Sequence, residues 1–119
     1  MRRASWRETI MWIGSLTLDI LLGDIHSLKE KRSVVRPVVA ELRRRFAVSA
    51  AETGGLDLHR RVEIGVAVVA ADRAHCAAVL GACEELVARR PELEILSARV
   101  RYLSEDDADD MTHPEVILP

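Results

Sequence analysis

Residues 61–70 read RVEIGVAVVA, and this stretch decides the fold. Apolar side chains occupy every second position from Val62 to Ala70, while Arg61, Glu63 and mostly small residues fill the positions between them. Successive side chains of a strand point to opposite faces, so one face of this segment is apolar and the other is not. The alternation predicts a β-strand with one face against a core.

A helix and a second strand are predicted on the C-terminal side of this stretch. Asp72 is a favourable helix N-cap residue, and Pro91 ends the helix. The apolar stripe between them, at helical spacing, consists of Cys76, Val79, Leu80, Cys83, Leu86 and Val87. Residues 93–103 alternate again, with Arg99 and Arg101 on the polar side, and predict the last strand.

The two cysteines lie seven residues apart on the same predicted helix. At 1.5 Å per residue, the Cα atoms of Cys76 and Cys83 would lie about 10.5 Å apart. A disulfide bridges at most roughly 7 Å between Cα atoms. We therefore expect two buried, reduced thiols, as is usual in cytosolic proteins, and no zinc site, because the sequence offers no second group of ligands.

Two further strands are predicted on the N-terminal side. Residues 11–22 alternate between apolar and polar side chains and end at Gly23. Residues 47–53 are short and rich in small side chains and predict a modest strand. The glycine pair that follows predicts a loop before residues 61–70.

A helix is predicted between these two strands. Ser27 and Glu30 have the spacing of a capping box, and an apolar stripe at helical spacing continues to Phe46. Pro37 would remove one hydrogen bond from the middle of this helix. Either the helix kinks at Pro37, or the regular helix begins at Ser33 after a looser turn over 27–33, and the sequence leaves both open.

The predicted order β-α-β-β-α-β favours a ferredoxin-like sandwich. This α+β fold has a four-stranded, mainly antiparallel sheet with both helices on one face. The other sheet face would be open to solvent or to a second subunit, and it carries Ser15, Thr17, Asp19, Glu63, Gly65, Ala67, Arg99 and Arg101. We expect a domain over 11–104, an N-terminal extension over 1–10 and an acidic flexible tail over 105–119. Whether translation starts at Met1 or at Met11 stays open.

Composition limits the class of protein. A chain of 119 residues fits one domain, and 49% apolar with 30% charged residues excludes a disordered polar chain and a coiled-coil rod. No apolar run approaches the roughly 20 residues that span a bilayer. Residues 1–10 contain three arginines but no long apolar core of a secretory signal follows them. We therefore expect a cytoplasmic protein with no membrane partner.

Charge is distributed unevenly along the chain. The net charge is −2, yet residues 105–119 hold six acids and no base, whereas residues 26–45 hold seven bases against two acids. Clustered Lys and Arg side chains neutralise phosphates and release counterions. The predicted RNA-binding residues are Lys29, Lys31, Arg32, Arg36, Arg43 and Arg44. The competing interpretation is a solvated helix face whose last arginines complement the helix dipole.

No constellation of side chains in the sequence indicates catalysis. His75 and Cys76 are neighbours on a predicted helix and therefore point apart. We interpret Asp72 as a helix cap and Glu52 as the partner of a loop arginine. A hydrolase of the acylphosphatase type would need a phosphate-cradling loop, and the aromatic run of an RNA-recognition module is missing. We expect no enzyme, no cofactor and no metal.

Several short segments together resemble the YlxP-like family of bacterial domains of unknown function. They are the run His26-Ser27-Leu28-Lys29-Glu30-Lys31-Arg32, the strand end Ala51-Glu52, the loop Asp57-Leu58 and residues 65–69. The similarity spans about Met11 to Leu103 and implies a ferredoxin-like fold. It also implies a translation context, because such genes commonly lie among those for transcription and translation factors and a ribosome-binding factor. The family signature falls on His26, Ser27, Leu28, Lys29, Lys31, Arg32, Glu52, Asp57 and Asp72.

Two functions are predicted. The first is a small non-enzymatic factor that binds RNA or a ribosomal subunit through the basic helix, with His26 shaping the start of that helix, in translation or ribosome maturation. The alternative is a dimeric regulatory or ligand-binding module in which open sheet faces or edges pair, since Gly65 and Ala67 beside Ser15 and Thr17 would permit close packing. The acidic tail is a predicted competitor for the basic helix.

Overall fold

A computed structural model describes residues 10–104 of the chain. Its elements in chain order are β1 Trp12–Leu22, α1 Leu28–Arg45, β2 Ser49–Gly54, β3 Arg61–Ala70, α2 Arg73–Ala88 and β4 Leu93–Ser104. The predicted β-α-β-β-α-β order is confirmed. The predicted tail over 105–119, and the predicted extension except for its last residue, lie outside the described residues.

The four strands form one sheet in the order β2-β3-β1-β4, and every neighbouring pair is antiparallel. Leu16 of β1 lies opposite Val66 of β3 and Val100 of β4. Directly opposite residues share a face of the sheet, so the register aligns the apolar faces of the strands. Both helices cover that face and complete a single core, which confirms the ferredoxin-like sandwich.

Helix α1 is continuous from Leu28 to Arg45. Ser27 caps it, because the Ser27 hydroxyl accepts a hydrogen bond from the Glu30 N–H at 3.1 Å. The looser turn considered for 27–33 is therefore wrong. Pro37 lies inside the helix on its exposed side, so the Ser33 carbonyl that lacks its usual partner is on the side where water can reach it.

The close approach of α2 to the sheet depends on Gly14 in β1. A Cβ atom at Gly14 would lie 3.0 Å from both the Cys76 Cβ and the Leu80 Cδ1 of α2. A larger residue at this position would force Cys76 and Leu80 to move, because contacts this short are tighter than ordinary van der Waals packing. Both cysteines of α2 are free and buried, as predicted.

The strand ends differ slightly from the predictions. Strand β2 begins at Ser49 rather than at residue 47, and β4 extends to Ser104. The pairing of β4 with β1 contains a β-bulge, because Asp19 and Ile20 of β1 lie opposite Ser97 and Ile95 and leave Leu96 as the extra residue. No helix among residues 10–104 is both long enough and apolar enough to cross a membrane.

Candidate nucleic-acid interface

The outward side of α1 carries a row of exposed bases that we call the basic ridge. It consists of Lys29, Arg32, Arg36, Arg43 and Arg44. The opposite side of the same helix is buried and holds Val35, Val38 and Leu42. At 1.5 Å per residue the ridge is about 22 Å long. Five cations along one side of a helix can contact successive phosphates of an extended polyanion.

The N-terminal part of the ridge has no acidic partner in the described part of the chain. The side chains of Lys29, Arg32 and Arg36 make no hydrogen bond or ion pair with any residue of 10–104. By contrast, the Arg43 Nε donates to the Ala50 carbonyl at 2.8 Å, and Arg44 lies 3.9 Å from the Glu41 carboxylate. A ligand could therefore bind these three cations without breaking a hydrogen bond or ion pair within residues 10–104.

The position of Lys29 is unfavourable for helix stability. Lys29 lies in the first turn of α1, where the helix dipole places positive charge and disfavours cations. The three arginines of the last turn, 43–45, do complement the dipole. A purely structural explanation of the bases therefore fits the C-terminal end of the helix but leaves its N-terminal end unexplained.

Lys31 does not belong to this surface. The sequence grouped it with the phosphate-binding residues, but its side chain is only 2% exposed. Its ammonium group donates to the carbonyls of Gly55 and Leu58 and lies 3.4 Å from the Glu52 carboxylate. These three oxygens satisfy a charge that would otherwise be costly to bury, so Lys31 ties α1 to the loop after β2 and cannot reach phosphate.

Several signature residues support this Lys31 contact or the start of α1. Glu52 is the partner of Lys31, not of a loop arginine as expected from the sequence. The His26 N–H donates to the Glu30 carboxylate at 3.0 Å, and the His26 ring lies 2.9 Å from the Asp24 carboxylate. The signature residue Leu28 begins the helix itself. The sequence reasoning missed the carbonyls of Gly55 and Leu58, because backbone acceptors leave no trace in a side-chain pattern.

The remaining signature acids lie apart from the basic ridge. Asp72 caps α2, since its carboxylate accepts a hydrogen bond from the His75 N–H at 2.7 Å, as predicted. Asp57 is exposed in the loop between β2 and β3. Within residues 10–104, no group of His, Cys, Asp and Glu side chains could hold a metal ion. Asp57 and Asp72 therefore belong to no candidate metal site in this part of the chain.

The open face of the sheet has the composition that the sequence predicts. At one end, the Arg61 guanidinium makes a paired contact with the Asp19 carboxylate, at 2.6 and 3.3 Å. The Glu63 carboxylate accepts a hydrogen bond from the Thr53 hydroxyl at 2.7 Å. A shallow depression of about 670 Å³ along β1, β2 and β3 is lined mainly by small residues. The ligand-binding alternative for this face stays a prediction.

The two thiols are poorly suited to nucleophilic chemistry. Burial raises the pKa of Cys83, and burial together with the nearby Asp72 charge raises the pKa of Cys76. Reactive cysteines are exposed thiolates in electropositive surroundings. Cys76 and Cys83 therefore serve as small apolar core residues of α2.

Comparison with known proteins places the chain in a family. The family model described as "Protein of unknown function (DUF503)" matches residues 13–100. The "Uncharacterized protein YlxP" of Bacillus subtilis strain 168 is 29% identical over 90 residues, which are 76% of this chain and 98% of that protein. A de novo designed protein with ferredoxin fold, solved by solution NMR, has 14% identity and a TM-score of 0.46, covering 78% of this chain and 84% of its own. Because the matched residues include all six elements, at least in part, this chain belongs to the DUF503 family of proteins of unknown function, as its resemblance to YlxP-like domains indicated.

Proposed function

We propose that this protein is a non-enzymatic factor that binds RNA, free or within a ribosomal particle, through the basic ridge of α1. The observation that carries the proposal is the set of three exposed cations, Lys29, Arg32 and Arg36, that have no partner among residues 10–104. Lys29 stands in the first turn of the helix, where cations are disfavoured. A bound polyanion would supply the compensating charge.

The chemistry of the ridge favours recognition of the nucleic-acid backbone. Its members are one lysine and four arginines, and Arg guanidinium groups bind phosphate through two parallel hydrogen bonds. The open face of the sheet, where RNA-recognition modules stack bases on aromatic side chains, presents no aromatic residue on its described strands. Binding should therefore depend strongly on salt and weakly on sequence. The translation context implied by the YlxP-like resemblance favours RNA over DNA as the polyanion.

The test is RNA binding across a salt series, with two variants of equal charge. The ridge variant is Arg32→Gln/Arg36→Gln, and the control variant is Arg45→Gln/Arg89→Gln, whose exposed arginines lie beside the groove between α1 and α2. A single-stranded contact contributes about 0.7 to the slope of log K against log salt concentration, so the ridge variant should lose about 1.4 from this slope. The control variant should keep the wild-type slope.

Fluorescence anisotropy with labelled single-stranded RNA measures the slope of log K against log salt concentration. Co-sedimentation with ribosomal subunits tests binding to a ribosomal particle. Equal slopes for the two variants would exclude the ridge as the contact surface. Absence of binding by the wild-type protein at about 50 mM salt, where phosphate contacts are strong, would contradict the proposal as a whole.

A further inference from the structure

The two edges of the sheet differ in strand length and in the contacts that cover them. At the β2 edge, the strand has six residues, and Arg43 of α1 bonds to its outward Ala50 carbonyl. At the opposite edge, β4 has twelve residues, and no strand among residues 10–104 pairs with its outer side. Long unpaired edges bind further strands unless they are blocked, so β4 is the edge that can accept one.

Strand β4 also exposes aliphatic side chains that α2 leaves uncovered. Leu96 is 43% exposed and Val100 is 42% exposed, and Ala98 between them is exposed as well. Val100 and Ala98 lie on the face that carries the helices, opposite Leu16 and Leu18 of β1. This apolar row is therefore the margin of the core, and none of the strands and helices of residues 10–104 covers it.

The flank of α2 beside β4 carries three small residues together with Glu84. The Arg73 guanidinium lies over the Tyr102 ring of β4, 4.3 Å from its centre, which places this flank of α2 along the edge. Ala77, Gly81 and Ala88 follow Arg73 at close to whole helical turns, and all three are exposed. A second helix could approach this flank closely.

No close contact within residues 10–104 requires a glycine at position 81. A Cβ atom there would meet nothing within 4 Å, yet a glycine inside a helix lowers helix stability. Arg73 of α2 lies beside Tyr102 of β4. From Tyr102 to Ala98 the strand advances by about 13 Å, and about nine residues of helix advance by the same distance. Gly81, eight residues after Arg73, is therefore close to the level of Ala98, and a two-fold axis at Ala98 would bring a second α2 nearest to it.

The sequence of β4 is complementary to itself about Ala98. In an antiparallel pair of β4 strands centred there, Leu96 of one copy lies opposite Val100 of the other, on the helix-bearing face. Against β1, the bulged residues Ile95 and Leu96 together lie opposite the single residue Ile20. If they likewise lie together opposite Val100 of the second copy, the next pair along the strands is Glu94 opposite Arg101. Glu94 and Arg101 both lie on the open face, opposite Leu21 and Ser15 of β1, so a pair of opposite charges forms on each side of the two-fold axis.

We propose that the protein forms a two-fold symmetric dimer in which β4 pairs antiparallel with β4 of a second copy, in a register centred on Ala98. The two sheets then join into one of eight strands, and the two α2 helices meet on the same face. This interaction is independent of RNA binding, because the basic ridge of α1 lies over the opposite half of the sheet, above β2.

Disulfide trapping tests the register directly. In the proposed pair the two Ala98 Cα atoms lie about 4.5–5.5 Å apart, within the range that a disulfide spans. Ala98→Cys should therefore form a covalent dimer rapidly under mild oxidation. The control is Ser49→Cys, an exposed position on the β2 edge. The native thiols are buried and do not interfere.

Cross-linking between two different cysteine variants tests the register at a second position. Glu94→Cys and Arg101→Cys proteins should cross-link with each other when mixed, and each much less with itself. Equal trapping of Ala98→Cys and Ser49→Cys, or preferential self-linking of Glu94→Cys, would overturn the register.

Oligomeric state tests the dimer without cysteines. Analytical ultracentrifugation of the wild-type chain should give a dimer at tens of micromolar, and Val100→Glu should give a monomer. Val69→Glu, at a position that is 63% exposed on β3, should remain dimeric. Circular dichroism checks that both variants fold. A wild-type monomer at this concentration would overturn the proposal and leave the edge to another partner.

Discussion

Helices α1 and α2 cover the same face of the sheet, yet their outward sides are built in opposite ways. The outward side of α1 carries the five cations of the basic ridge, whereas that of α2 combines small residues such as Ala77, Ala78 and Gly81 with the exposed ion pair of Glu85 and Arg89. Unpaired cations suit water or a polyanion, and small residues permit close approach of another helix. In the two proposals above, α1 contacts phosphate and α2 contacts a second copy.

Their attachment to the sheet differs as well. Helix α2 is held mainly by apolar side chains, with Cys76, Leu80 and Cys83 fully buried, and it makes a charged contact with the sheet through the Arg73 guanidinium, which lies over the Tyr102 ring. Helix α1 is held by aliphatic residues and also by the buried Lys31 ammonium. A charge contact is directional and fixes the loop after β2, while the apolar contact of α2 depends only on volume.

The largest expected effect breaks the Lys31 contact. Lys31→Met keeps the length of the side chain but leaves the Gly55 and Leu58 carbonyls and the Glu52 carboxylate without their donor. Removing one partner of a buried ion pair costs about 4 kcal/mol, so urea unfolding should show a loss of that size. Lys29→Met, two residues away and exposed, should change the free energy of unfolding by less than about 0.5 kcal/mol. Equal losses for the two variants would show that Lys31 does not hold α1.

A somewhat smaller effect tests the apolar attachment of α2. Leu80→Ala should lower the free energy of unfolding by about 3 kcal/mol, because it removes buried methyl groups and leaves a cavity. RNA binding of the folded variant should keep its wild-type salt dependence, since the basic ridge belongs to α1. The exposed Ala77→Ser serves as the control for α2. A loss below about 1 kcal/mol for Leu80→Ala would contradict tight packing of α2 on Gly14.

The smallest expected effect concerns the contact between Glu41 of α1 and Arg90, which follows the end of α2. The Arg90 guanidinium donates to the Glu41 carboxylate and lowers the pKa of Glu41 below its ordinary value of 4.5, with a further contribution from Arg45. A carboxyl whose pKa is lowered by folding stabilises the fold above its unfolded pKa, and this contribution disappears as the pH falls through the folded value. The stability difference between wild type and Glu41→Gln should therefore shrink as the pH falls from about 6 to about 3. A pH-independent difference in melting temperature would contradict this ion pair.

The sequence predicted the fold well because each element carries its own periodic signal. The alternation in residues 61–70 and the capping residues Ser27 and Asp72 act locally, so the elements follow from short stretches. The strand register and the bulge at Leu96 depend on pairing between distant segments, and no local pattern encodes them.

The candidate site was less predictable, but one missed residue had left a signal. Lys31 lies on the apolar stripe of α1, four residues before Val35 and seven before Val38. Its position predicted burial, and only its charge suggested exposure. Glu52 likewise alternates in step with the buried Ala50 of β2. Two oppositely charged residues on inward positions of facing elements indicate an internal ion pair rather than a ligand site.

The burial of Lys31 also gives the protein selective amine chemistry. Lys29 and Lys31 are the only lysines in the sequence, and the other bases of the chain are arginines. An amine-reactive fluorophore reaches Lys29 at the start of the basic ridge, but it does not reach the enclosed ammonium of Lys31. Apart from the N-terminal amine, Lys29 is then the labelled position, so the natural sequence can carry a reporter dye at the surface where RNA is proposed to bind.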